Sequence, residues 1–254
     1  MEHHHSGRHA LVTGGGTGIG LAIAQLLAAQ GAQVTITGRR IEVLHEAAAS
    51  HPNLHPLAMD VADEASVVQG TAAAIAARGP VTICVANAGI AEGKALHKTT
   101  MEFWRNMMAT NLDGAFLTIR ECLTSMRQTG WGRVMTVASI AGVRGLQGAA
   151  CYSASKHGMI GLTRSLAEDY LGQPYTFNAI CPGYVDTPII TRNTASISER
   201  AGISEKAARD IMVKTNRHKR LIEPEEIAAA ALWLTGPGSQ SVNGQTIEIA
   251  GGQM

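Results

Sequence analysis

The chain is predicted to fold as one α/β domain, a doubly wound and mostly parallel seven-stranded sheet with helices on both faces. Short apolar runs closed by glycine, proline or asparagine alternate with longer helix-patterned segments from residue 9 almost to the end. The run Val81 to Ala86 is apolar without interruption, as a strand buried on both faces requires. Twenty-eight glycines beside only 4% aromatic residues suit tight turns and close backbone approaches. At 254 residues, with no Pro/Gly/Ser linker or charge run to divide it, a single domain over 8–254 is expected.

Composition narrows the function. Basic residues number 21 and acidic residues 20, so no electrostatic argument favours nucleic acid or an anionic membrane as partner. Cys84, Cys122, Cys151 and Cys181 show no C-x-x-C spacing, and free buried thiols in a reducing, cytoplasmic setting are expected. No apolar run approaches the ~18 residues of a bilayer span, and no signal-peptide core is visible. His3, His4 and His5 place residues 1–7 as a disordered or tag-like tail, and no metal site is expected there.

His9 to Val12 forms the first strand and runs into TGGGTGIG, with helix pattern LAIAQLLAAQ behind it and Gly31 at its close. The glycines are spaced G-x-x-x-G-x-G at Gly14, Gly18 and Gly20, with Thr17 and Ile19 between them. Strand, glycine loop and helix start together suit the pyrophosphate of a dinucleotide, which backbone amides can approach where side chains are missing. A glycine turn that binds nothing is the alternative. The second strand, Gln33 to Thr37, ends at Gly38, Arg39 and Arg40. An acid at this place would hold the ribose diol of NAD; two guanidinium groups instead favour the 2′-phosphate of NADP, with NAD still open.

Helix 41–49 leads to strand 54–59 and the pair Asp60-Val61. Asp60 is placed to accept from an adenine amino group or to cap the next helix, and Asp63 is the better cap. Helix 63–78 stops at Gly79-Pro80, and the fourth strand ends at Asn87, Ala88 and Gly89. One helix is expected over 101–126, with Asn111 among Met108, Leu112, Phe116 and Leu117 and hence facing inward. The fifth strand, 133–138, delivers Ser139.

From Ser139 the chain reads SIAGVRGLQGAACYSASK. Tyr152 and Lys156 stand at i and i+4, on one face if helical. A lysine near a phenol is expected to lower its pKa from about 10, which suits proton transfer near neutral pH. Ser139 can polarise the oxygen of a reacting carbonyl. Strand 175–181 leads to Pro182 and Gly183, residues 189–215 hold no steady apolar period, helix 224–235 opens with Pro224, and strand 245–249 closes the sheet.

Taken together, TGGGTGIG, Asp60-Val61, ANAG at 86–89, Asn111 in NLDGAF, Ser139, YSASK and PGYVDT at 182–187 resemble a classical short-chain dehydrogenase/reductase over essentially all of the chain after residue 7. Ala86 stands where the family commonly has another asparagine, a departure expected to cost a strand contact at most. The resemblance implies a Rossmann-like fold and hydride transfer between a nicotinamide and a ketone or secondary alcohol. It implies Tyr152 as proton donor, Ser139 polarising the carbonyl, and Lys156 tuning Tyr152 while holding the ribose. Asn111 would relay protons through its backbone carbonyl and a water. It also implies Val185 and Thr187 at the nicotinamide carboxamide and nearby phosphate, a lid over 189–215, and a homotetramer built on helices 101–126 and 152–171.

VRGLQGAAC with Ile189 and Ile190 suggests a modest pocket of mostly apolar walls and a hydrophobic carbonyl substrate. A 3-oxoacyl thioester reductase is the alternative, weakened by Glu168 and Asp169 where carrier-protein docking would want basic charge. A catalytically silent nucleotide-binding regulator is disfavoured by the intact Asn111, Ser139, Tyr152 and Lys156 set. The charge at Arg39 gives a first test. NADP should exceed NAD by at least ~10-fold in kcat/KM, since charge-assisted bonds contribute about 1.5–3 kcal/mol each. Arg39→Ala should erase most of that margin, and equal efficiency with both dinucleotides in the wild type would refute it.

Overall fold

The computed structural model describes residues 4–253. Seven strands, β1 (His9–Thr13), β2 (Gln33–Gly38), β3 (Leu54–Ala58), β4 (Ile83–Ala86), β5 (Gly132–Val137), β6 (Tyr175–Pro182) and β7 (Thr246–Ile249), form one sheet in the order β3-β2-β1-β4-β5-β6-β7. Every pairing is parallel. The order reverses between β1 and β4, which leaves a crevice at the carboxyl ends of the two central strands.

Side-chain alternation along the strands builds two cores. Ala10, Val12, Val34, Ile36, Ile83, Val85 and Ile180 face one layer, where helices α1 (Gly18–Ala29) and α9 (Pro224–Thr235) pack. Leu11, Cys84, Ala86, Val134, Phe177 and Ala179 face the other, covered by α3 (Glu64–Arg78), α5 (Gly114–Met126) and α6 (Ala150–Asp169). The small α2 (Ile41–Ala48) lies between β2 and β3. Asp63 caps α3, its carboxylate accepting from Ala65 N at 2.9 Å and Ser66 N at 3.4 Å, and Gly79 ends that helix at φ +79°. Among the described residues no helix is long and apolar enough to cross a membrane.

Three features differ from the sequence expectation. The helix expected over 101–126 is two helices, α4 (Met101–Met108) and α5, joined by a π turn over Ala109–Asp113. Asn111 lies in that turn, fully buried, and its amide is drawn into bonds with other elements that a regular helix would not reach. The segment 189–215 is helical in spite of its weak apolar period, as α7 (Pro188–Ala201) and α8 (Glu205–Thr215). These two need bury little: Ile190, Met212 and Leu221 form a small cluster separate from both main cores. Asp186 and Arg209 pair at 2.7 Å and tie α8 to the loop after β6.

The third difference concerns the tail. Residues 1–3 of the expected disordered stretch lie outside the described residues, but His5 is 1% exposed, its Nε2 is 3.0 Å from the Thr235 hydroxyl, and its backbone N–H bonds Gln30 O. Packing against α1 and α9 orders it. Burial holds His5, His9 and His55 below their ordinary 6.5. At His9 both ring nitrogens are engaged, 2.8 Å from Gly79 O and 2.9 Å from the Thr35 hydroxyl. A depressed imidazole pKa means that the unfolded chain binds more protons as pH falls, so stability present above about 6.5 is lost below it. Denaturant unfolding at pH 7.5 and 5.5 should show the loss, and His9→Gln should flatten the slope. A pH-independent stability across that interval excludes this linkage.

Candidate active site

The carboxyl ends of the strands assemble one site from separate loops. After β1, Gly14 and Gly18 adopt φ +63° and +54°, values open to glycine at little cost. A Cβ at Gly20 would overlap the Asn87 amide and the Gly14 carbonyl. Thr13 and Asn87 clamp this loop to β4: the Thr13 hydroxyl accepts from the backbone N–H of Asn87 and of Ala88, each at 3.0 Å, and Asn87 Nδ2 donates to Thr13 O at 2.8 Å. Thr17 precedes α1 without a side-chain cap, and the first turn of α1 carries no acid. A helix start left uncapped, free of negative charge and fronted by residues without side chains fits a dinucleotide pyrophosphate. Thr187 lies across from Gly18, where a Cβ would come within 3.1 Å of its methyl.

Other predicted dinucleotide contacts spread along this edge. Arg39 and Arg40 are exposed at the end of β2, where Arg40 precedes α2. Asp60 accepts from Ala62 N at 3.0 Å and leaves capping to Asp63. Ile19 packs on the first core, and Val61 is buried in the second, so their side chains are committed to packing. Pro182 ends β6, Gly183 N bonds Ile249 O at 2.9 Å, and Val185 is held in a parallel bridge to Ile222.

Ser139, Tyr152, Lys156 and Asn111 converge beside that crevice. Ser139 begins a short 3-10 turn (Ile140–Gly142), its hydroxyl accepting from Ala141 N at 3.1 Å. Tyr152 sits in the first turn of α6, half-buried, with Lys156 one turn on and 4% exposed. The Lys156 ammonium donates to Val137 O at 2.9 Å and stands 5.8 Å from the centre of the Tyr152 ring. Asn111 Oδ1 accepts from Ile90 N at 2.8 Å, and its Nδ2 donates to Ile90 O and the Ser155 hydroxyl, each at 3.0 Å. A Cβ at Gly89 would lie 3.1 Å from Asn111 Oδ1 and 3.5 Å from Lys156 Nζ, so a side chain there would crowd the Asn111 amide.

The electrostatics correct one expectation. Burial pushes the Tyr152 phenol above its ordinary 10, the Ser139 hydroxyl pulls against that rise, and Tyr184 and Cys181 add to it. The expected depression by Lys156 is not seen, because the ammonium is turned to the Val137 carbonyl. Burial instead lowers Lys156 itself to about 8 and raises Cys181 to about 11. Several residues beside the site were not singled out in the sequence. Ser155 passes the Asn111 bond on to Tyr152 O at 2.8 Å, and its spacing from Tyr152 on one helix face was a readable signal. Thr13, Tyr184 and Arg144 lie inside TGGGTGIG, PGYVDT and VRGLQGAAC, where no spacing marked them individually.

These features have relatives. The chain matches the short chain dehydrogenase family model over residues 8–197. It is 35% identical to an acetoacetyl-CoA reductase of Rhizobium meliloti (strain 1021), over 97% of this chain and 98% of that one. It is 33% identical to a D-beta-hydroxybutyrate dehydrogenase of Cupriavidus necator, again over 97% and 98%. Among solved structures it resembles a variant of actinorhodin polyketide ketoreductase with NADPH, with TM-score 0.94, 33% identity and 97% of each chain covered. Levodione reductase follows at TM-score 0.91 and 32% identity, with 98% of each chain covered. The chain belongs to the short-chain dehydrogenase/reductase family. It is an oxidoreductase of CH–OH and C=O groups that works with a nicotinamide dinucleotide.

Proposed function

We propose that this enzyme interconverts a ketone and its secondary alcohol with NADP(H), on a small to medium carbonyl compound. The observation that carries the reading is the meeting of the Ser139 and Tyr152 hydroxyls at the end of β5, with the buried Lys156 behind them. The start of α1 with Gly14, Gly18, Gly20 and Thr187 would hold the dinucleotide phosphates, Asp60 the adenine, and Arg39 and Arg40 the 2′-phosphate. When bound, the nicotinamide supplies or takes up the hydride.

The protein's own groups manage the proton. A phenol raised by burial stays protonated at neutral pH, the state in which Tyr152 donates to a carbonyl oxygen. Ser139 gives that oxygen a second donor and fixes its place. In the reverse direction Tyr152 accepts the proton of the hydroxyl. Lys156 holds positive charge beside the site, and a pKa near 8 leaves it able to exchange a proton close to neutrality. The Asn111 side chain is committed to Ile90 and Ser155, so any part it plays in a relay falls to its backbone carbonyl, as the family resemblance implies.

The second reading, reduction of a 3-oxoacyl thioester, is supported by the printed activities of acetoacetyl-CoA and ketoacyl reductases among the relatives. For assembly, we take a homotetramer joined through α5 and α6. The support is a groove between these helices in which Phe116, Ile119, Leu123, Leu162, Leu166 and Tyr170 stand beside Arg120, Thr124, Arg127 and Gln128, with Phe116 46% exposed. Four unpaired, buried cysteines support a cytoplasmic location.

Tyr152→Phe should lower kcat by roughly 10²–10⁴-fold and leave dinucleotide affinity nearly unchanged, because the proton donor alone is lost. More than a tenth of wild-type kcat in that variant would sink the assignment. Light scattering at micromolar concentration should give four times the chain mass, and Phe116→Asp should reduce it. A monomeric wild-type mass rules the assembly out.

A further inference from the structure

Five residues beyond Ser139, the loop into α6 carries a cation for which the carbonyl chemistry has no use. Arg144 is half-buried. Its Nη2 donates to the Gln253 side-chain oxygen at 2.7 Å. Its Nε is enclosed with no acceptor, and no carboxylate among the described residues pairs with the guanidinium. Gln253 is itself 4% exposed and donates through Nε2 to Asn216 Oδ1 at 2.6 Å. Asn216, fully buried at the end of α8, accepts from Tyr184 N at 3.3 Å and donates to Tyr184 O at 3.0 Å. The guanidinium is therefore pinned by a neutral amide of the C-terminal tail, and that amide is pinned by the end of α8 and by the loop after β6.

Arg144 also lies in the loop that joins Ser139 to Tyr152, and its partner Gln253 packs on the loop after β6, where a Cβ at Gly183 would come within 2.8 Å of Gln253 Nε2. The Arg144 guanidinium pulls the Tyr184 phenol down against the rise that burial causes. A positive charge with no carboxylate partner among the described residues thus stands in the loop between the two hydroxyls of the proposed carbonyl site. The planar fork of a guanidinium matches a carboxylate, and only one of its nitrogens is engaged by Gln253. A purely hydrophobic ketone offers that fork nothing. We infer that Arg144, positioned by Gln253, binds a carboxylate on the substrate, so that the carbonyl compounds this enzyme favours are oxo acids and the alcohols are hydroxy acids. The inference rests on the reading of Ser139 and Tyr152 as the carbonyl site. The rival role is a clasp, in which Arg144 ties the tail to the loop and touches no substrate.

Glutamine at 144 keeps an N–H donor for Gln253 and removes the charge, which separates the two roles. Turnover of 2-oxobutanoate, 3-oxobutanoate and 4-oxopentanoate is compared with that of their methyl esters in the wild type, Arg144→Gln and Arg144→Lys. At the best of these spacings the wild type should prefer acid over ester by at least ~10-fold in kcat/KM, a margin within reach of one charge-assisted contact. Arg144→Gln should lose that preference through KM for the acid and keep ester turnover within about threefold, while Arg144→Lys keeps part of it. The same oxo acids should raise the Tm of the wild type, with and without NADP, and not that of Arg144→Gln. Esters used as well as acids by the wild type, or acid and ester activity falling together in Arg144→Gln, would overturn the inference in favour of the clasp. An Arg144-dependent Tm shift without turnover of any acid or ester would uphold the carboxylate site and overturn the proposed function instead.

Discussion

The buried amide of Asn111 is the interaction on which the site's arrangement depends. It bonds the loop after β4 through both Ile90 N and Ile90 O, and it reaches α6 through Ser155, whose hydroxyl bonds Tyr152 O. A side-chain amide enclosed in protein must find such partners or lose the bonds it would make to water. The chain between α4 and α5 widens into a π turn to let it do so. The same amide therefore sets the spacing of Gly89, in the loop after β4, from Tyr152 and Lys156, both on α6. Helix packing by apolar contact alone would leave that spacing loose.

Burial, more than charge pairing, governs the titrating groups. Tyr152 and Lys156 are both moved toward their neutral forms, the phenol up and the ammonium down to about 8. The 5.8 Å between the ammonium and the phenol ring and the competing Val137 carbonyl leave desolvation the larger effect. In the proposed mechanism a phenol kept protonated donates to the carbonyl oxygen, and a lysine near neutrality replenishes it. Two groups shifted in opposite directions by one cause make a proton store without an acid partner.

The two ends of the crevice are built differently. On the dinucleotide side, close backbone approach does the shaping: glycines at φ +63° and +54°, and Gly20 flush against Asn87. On the side proposed for the substrate, hydrogen bonds between distant segments do it, as Arg144, Gln253, Asn216 and Tyr184 bring together four separate stretches of chain. The first construction accepts one ligand shape and the second is open to change by single side chains. That contrast is what a fold with a constant cofactor and variable substrates calls for.

The sequence by itself determined the layers and the order of the strands, and it marked residues that the fold then brings to one edge of the sheet. Period-two alternation in the strands, the glycine spacing after β1 and the Tyr152-x-x-x-Lys156 spacing are local patterns, and local geometry converts them directly into structure. What only the tertiary structure decided depended on which distant groups meet. The π turn at Asn111 follows from partners at Ile90 and Ser155. The ordering of His5 follows from Thr235, 230 residues along the chain. The shift of Tyr152 upward, where the lysine spacing alone suggested downward, follows from how much protein crowds the phenol and from a strand carbonyl that claims the ammonium. Arg144 was not singled out within VRGLQGAAC, and its bond to Gln253 of the tail appears only in the folded chain. Burial and long-range contact are properties of the assembled chain, and no window of sequence contains them.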